Sequence, residues 1–128
     1  MDYVKCSALN LAYLGDAVFE LFVRERLLKT ANAPVGKRNE AARRVVNAKA
    51  QARMYFKIFD ELTEAEKAVL KRGRNAHARS RAKSADVLEY RRATALETLL
   101  GFLYLDGNVE RLNFIVEKCM EGELCDAL

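Results

Sequence analysis

Asn10-Leu-Ala-Tyr-Leu-Gly-Asp-Ala-Val-Phe-Glu-Leu-Phe22 decides how this chain is read. Its apolar residues recur at helical spacing, and Asp16 stands among them directly after Gly15. A carboxylate surrounded by Leu, Val and Phe is costly to desolvate unless something pairs with it. Tyr90-Arg-Arg-Ala-Thr-Ala-Leu-Glu-Thr-Leu-Leu-Gly-Phe-Leu-Tyr-Leu105 repeats the predicament with Glu97. Each stretch carries one small residue, Gly15 or Gly101, that lets another backbone come close. If the two helices cross at these glycines, Asp16 and Glu97 meet. Two hard oxygen ligands suit Mg²⁺, which keeps much of its hydration shell and takes one or two carboxylates. Such an ion activates a water and stabilises charge on a phosphate. Spacing alone gives more weight to a structural alternative. In that alternative Asp16 caps a helix after Gly15, and Glu97 pairs with Arg91, Arg92 or a more distant arginine.

The rest of the chain reads as helix around these two stretches. One proline, Pro34, and six glycines are present, and no run alternates with period two. The expectation is an all-α helical bundle of five or six helices. A first helix covers about 7 to 29, with a break near Gly15 allowed for. Leu11, Leu14, Val18, Leu21, Phe22 and Leu28 are its apolar positions. A turn spans 30 to 34, and a second helix runs from about 36 to 59. Thr63-Glu-Ala-Glu66 has capping-box spacing and opens a helix ending near Gly73. Residues 74 to 85 read as a loop, after which Ser84 or Asp86 caps the helix that carries Glu97. Asp106-Gly-Asn108 is a turn before a last amphipathic helix from about 109 to 122. Tyr13, Phe19, Phe22, Phe102 and Tyr104 fall at helical spacing and read as core or interface residues.

At 128 residues the chain suffices for one domain with its own core, so residues 1–128 are expected to form a single domain. A hydrophobic share of 51% with 31% charged residues describes a globular protein and excludes a disordered one. Cys6, Cys119 and Cys125 match no zinc or redox spacing and read as reduced thiols. Asp2 follows Met1, and no apolar stretch reaches membrane-spanning length. The expected location is cytoplasmic, with no membrane partner.

The net charge of +4 fits a polyanionic partner without requiring one. Its distribution says more. Lys71-Arg-Gly-Arg-Asn-Ala-His-Ala-Arg-Ser-Arg-Ala-Lys83 holds six Lys or Arg and no acid. The helix before it presents Lys37, Arg38, Arg43, Arg44, Lys49 and Arg53 against Glu40. Lys71, Arg72, Arg74, Asn75, His77, Arg79, Arg81 and Lys83 are therefore candidate nucleic-acid contacts along a phosphate backbone. The bland alternative is a solvated surface loop. The segment has no aromatic residue, which argues against stacking on single-stranded bases. His77 is the only histidine, so no second one completes a metal site or a nucleophile–base pair with it. No nucleophile triad and no phosphate-cradling glycine loop is present.

Leu14-Gly-Asp-Ala-Val18 resembles the signature helix of ribonuclease III domains. Leu96-Glu-Thr-Leu-Leu-Gly-Phe-Leu-Tyr-Leu-Asp106 resembles that family's second acidic helix. Val69-Leu-Lys-Arg-Gly-Arg-Asn-Ala76 and Tyr90 to Glu97 are similar to Mini-ribonuclease III, the short bacterial branch without a double-stranded-RNA-binding domain. The resemblance implies a dimeric all-α endonuclease domain that cuts double-stranded RNA with Mg²⁺. It implies maturation of precursor 23S ribosomal RNA, the large-subunit RNA, and leaves open a ribosomal protein on the substrate. It assigns Asp16 and Glu97 to catalysis and metal binding, and Tyr13 to the homodimer interface. Ala12 and Thr94 stand where full-length members carry carboxylates, losses that the short branch shares. They leave the number of metal ions open, and Glu20, on the Asp16 face, is a guess for a further ligand. The alternative is a non-catalytic RNA-binding or ribosome-assembly protein on a nuclease-like scaffold. A basic helical interaction module with no RNA role is the blandest reading.

Overall fold

The computed structural model describes residues 6–30, 34–76 and 85–123, and every regular element among them is helical. Helix α1 is Ala8–Thr30, α2 is Val35–Val45, and α3 is Ala48–Phe59. Helix α4 is Glu64–Arg74, α5 is Ala85–Leu105, and α6 is Val109–Met120. Among the described residues no helix is long and apolar enough to cross a membrane.

Helix α5 is the hub: α1, α3, α4 and α6 all pack against it. Ala93, Ala95, Leu96, Leu99, Leu100 and Leu103 are buried, so its apolar residues face several neighbours at once. Phe19, Val23 and Leu27 of α1 join them, with Met54 and Ile58 of α3 and Ile115 and Val116 of α6. Leu21 and Leu28 belong to the apolar pattern of α1 but lie exposed. Phe19 is fully buried, Phe22 and Phe102 pack against the core from partly buried positions, and Tyr13 and Tyr104 are exposed.

Local signals set most helix ends. Thr63 and Glu66 form both bonds of the capping box. Gly107 turns at φ +75°, and Asn108 accepts the Arg111 N–H at 3.1 Å to start α6. Three expectations change. The single helix expected over 36–59 is two, because Asn47 adopts an extended conformation and accepts the Ala50 N–H at 2.8 Å. That N-cap ends one helix and starts another despite an uninterrupted periodicity. Helix α1 runs through Gly15 without a break. Asp86 lies in the first turn of α5 and so does not cap it. Ser84 and Cys125 lie outside the described residues, while Cys119 is a buried free thiol.

Candidate active site

Two glycines make the site. A Cβ on Gly15 would overlap the Glu97 carbonyl and come within 2.9 Å of the Gly101 nitrogen. A Cβ on Gly101 would overlap the Leu11 carbonyl and stand 3.1 Å from the Gly15 nitrogen. Helices α1 and α5 therefore touch backbone to backbone, a distance only glycine permits. The crossing puts Asp16, next to Gly15, beside Glu97.

The two carboxyl groups are hydrogen-bonded to each other. Burial first, and then the hydrogen bond and negative charge of Asp16, push Glu97 up to about 8. Two carboxylates crowded into one site disfavour the charged form of Glu97. Gln51 of α3 faces Glu97 and opposes the shift. Its side chain is buried, yet Nε2 forms no closed hydrogen bond.

The capping half of the structural alternative does not hold. Asp16 lies well inside α1 and caps nothing. The groups beside Glu97 are Asp16 and Gln51, while the Arg92 guanidinium sits 4.6 Å over the Phe56 ring. Glu20 accepts from Arg24 at 2.8 Å on the same helix. Among the described residues no third His, Cys, Asp or Glu groups with Asp16 and Glu97. Ala12 is buried and apolar, and Thr94 Oγ1 donates to its own helix at the Tyr90 carbonyl, 3.0 Å away.

A proton shared between two carboxylates marks a place that a hard divalent cation can take over. The donor set of two carboxylates fits such an ion. Gln51 is the residue that the sequence reading missed. It is the one polar residue on an α3 stripe otherwise made of Ala50, Met54, Tyr55 and Ile58.

The basic segment is only partly described. Lys71, Arg72, Arg74 and Asn75 lie at the end of α4, with Lys71 and Asn75 exposed. Arg72 donates to the Cys6 carbonyl at 2.5 Å, and Arg74 donates to the Tyr55 hydroxyl at 3.3 Å. His77, Arg79, Arg81 and Lys83 lie outside the described residues. Of the basic face on α2 and α3, Lys37, Arg43, Arg44 and Lys49 are exposed. Arg38 instead donates to the Leu27 carbonyl, and Arg53 donates to Glu123. Tyr13 is 85% exposed, one turn before Asp16.

Among the described residues six helices form the fold, and two of them cross at paired glycines with two acids at the crossing. Residues 9–108 match the Ribonuclease III domain. The chain belongs to the ribonuclease III family and is an endoribonuclease. Within the family it groups with the Mini-ribonuclease 3 proteins. That of Symbiobacterium thermophilum is 47% identical over 88% of this chain and 87% of its own. That of Brevibacillus brevis is 45% identical, covering 90% and 88%. A crystal structure of a Fusobacterium nucleatum protein superposes with a TM-score of 0.80 at 37% identity. It covers 94% of this chain and 96% of that one.

Proposed function

We propose that this chain is a Mg²⁺-dependent enzyme that hydrolyses double-stranded RNA, working as a homodimer of single-domain protomers. The observation that carries the reading is the Asp16–Glu97 pair at the glycine crossing. Asp16 and Glu97 would hold the cation through their carboxylate oxygens. When bound, such an ion supplies positive charge to a phosphate and acidity to a water. Asp16 is the more exposed acid and faces the substrate, while Glu97 is held from behind by α3 and α5. Loss of the Glu97 proton readies the pair for the ion.

Lys71, Asn75 and the exposed cations of α2 and α3 grip phosphates and 2′-hydroxyls across the minor groove of A-form RNA. Each protomer cuts one strand. The resemblance to the short branch supports the finer reading, maturation of precursor 23S ribosomal RNA in the cytoplasm.

The test is a long end-labelled RNA duplex incubated with the pure protein, with Mg²⁺ and with EDTA. Metal-dependent cuts in both strands are expected, and binding without cleavage would overturn the metal reading on this substrate. Neutralising Lys71, Arg79, Arg81 and Lys83 together spares the fold contacts of Arg72 and Arg74. It should weaken RNA binding and lower the salt slope by about 1 for each phosphate no longer neutralised. An unchanged slope removes the segment from the interface.

A further inference from the structure

The amide of Gln51 has no structural reason to be where it is. Only 4% of the residue is exposed. It shares its buried stripe with Ala50, Met54, Tyr55 and Ile58, where a Leu or Met would pack without a polar group. Nε2 is buried and forms no closed hydrogen bond. A donor held in this way is costly to leave unpaired, so an acceptor is expected in the working state. The nearest candidate is Glu97, which the amide faces.

The hydroxyls one turn either side of Glu97 on α5 are already engaged. Thr94 Oγ1 is taken by the Tyr90 carbonyl. Thr98 Oγ1 is taken by the Thr94 carbonyl at 2.7 Å and the Ala8 carbonyl at 3.2 Å. Ala12 offers no polar group. Helix α1 supplies Asp16, α5 supplies Glu97, and α3 supplies Gln51.

We propose that Gln51 is the positioning residue of the cation site: its Nε2 closes on one oxygen of Glu97 and leaves the other oxygen directed at the ion. The carboxylate is thereby fixed in one rotamer by a rigid neighbouring helix. Outer partners of metal-binding carboxylates commonly matter 10–100-fold in metal affinity or activity. The inference rests on the reading of Asp16 and Glu97 as metal ligands.

The experiment follows thermal unfolding of the RNA-free protein as a Mg²⁺ titration, for wild type, Gln51→Met and Gln51→Leu. Met keeps the volume and removes the donor, and Leu repeats the loss with a different shape. Wild type should gain Tm with Mg²⁺. Both variants should require about 10–100-fold more Mg²⁺ for the same gain. Their metal-free Tm should equal or exceed that of wild type, because an unpaired buried donor is gone. On duplex RNA at fixed Mg²⁺, kcat should fall with KM unchanged. An unchanged Mg²⁺ midpoint in the variants overturns the proposal, as does a lower metal-free Tm with that midpoint retained. A wild-type protein that does not respond to Mg²⁺ overturns the metal reading itself, and this inference with it.

Discussion

Gly15 and Glu97 meet through their backbones: the Cα of one lies against the carbonyl of the other, with no room for a methyl group between them. This contact and the one between Gly101 and Leu11 set how closely α1 and α5 approach. They therefore set the distance between the two acids. Gly15→Ala must push the helices apart at their closest point, where the obstacle is backbone and cannot rotate away. The expected cost is about 3 kcal/mol or more, the upper end for overpacking, with cleavage lost in whatever remains folded. Gly36→Ala is the contrast, since nothing lies within 4 Å of its Cβ position inside α2. It should stabilise by about 0.5–1 kcal/mol. Urea unfolding of both variants checks the pair.

Asp16→Asn keeps the shape of the exposed acid and removes its charge. Cleavage of duplex RNA should disappear while binding in filter or gel-shift assays stays near wild type. Loss of binding with cleavage retained would sink the assignment. The same variant relieves the crowding of Glu97. Its carboxyl group should return toward the usual carboxylate range, and the metal-free protein should become more stable at pH 8.

The pH dependence has a definite sign. Glu97 is raised in the folded protein to about 8 from the ordinary 4.5. Between these values the folded chain holds a proton that the unfolded chain releases. This contribution is therefore full below about pH 4.5 and is lost as pH rises toward 8. In EDTA the Tm should fall across that window, and Glu97→Gln should flatten the fall. A divalent ion competes with the same proton. Mg²⁺ affinity should thus rise with pH up to about 8, by at most about tenfold per unit for one displaced proton. A calorimetric titration at three pH values reads this directly.

The sequence carried the site further than the fold's finer joints. Gly15 and Gly101 each sit beside or near an acid in an apolar run, so residue type raised a close crossing and a meeting of Asp16 with Glu97, while spacing alone favoured the structural alternative. The division of 36–59 did not follow, because apolar periodicity continues through Val46 and Asn47. Only the side chain of Asn47, folded back onto Ala50, shows the stop. Gln51 stayed hidden for a related reason. A lone polar residue on an apolar stripe signals nothing until the facing residue is known, and that residue lies on α5. Arg72 and Arg74 read as free cations in a basic run, yet both make tertiary hydrogen bonds.

Away from the site, Glu66 is buried at 6% exposure and accepts from Arg111 at 2.8 and 2.7 Å. Arg111 also donates to the Glu61 carbonyl at 2.6 Å, tying α6 to the start of α4. The Arg111 hydrogen bond first of all holds the Glu66 carboxyl below its ordinary range, against a burial that would raise it. The stability it lends is present above the ordinary carboxylate pKa and is lost as pH falls through the lowered value. Arg111→Met should cost on the order of 2–3 kcal/mol by leaving a buried carboxylate unpaired. Cleavage per folded molecule should be unchanged, because the pair is remote from the crossing. Denaturant unfolding beside a single-turnover assay separates the two effects.

Tyr13 bears on assembly. With 85% of it exposed and Leu9 exposed four residues earlier, α1 shows solvent an aromatic and an aliphatic group one turn from Asp16. A duplex cutter needs two such acids, one per strand, and a copy of the chain docked on this face would bring a second Asp16 nearby. Tyr13→Asp should leave the Tm of the protomer unchanged, since little of the side chain is buried. It should weaken self-association by at least about 2 kcal/mol, roughly 30-fold, as truncation of an aromatic anchor does. Sedimentation across a concentration series measures this. The same variant should nick one strand or fail to cut at concentrations where wild type severs both. An undisturbed dimer would place the interface on another face of the bundle.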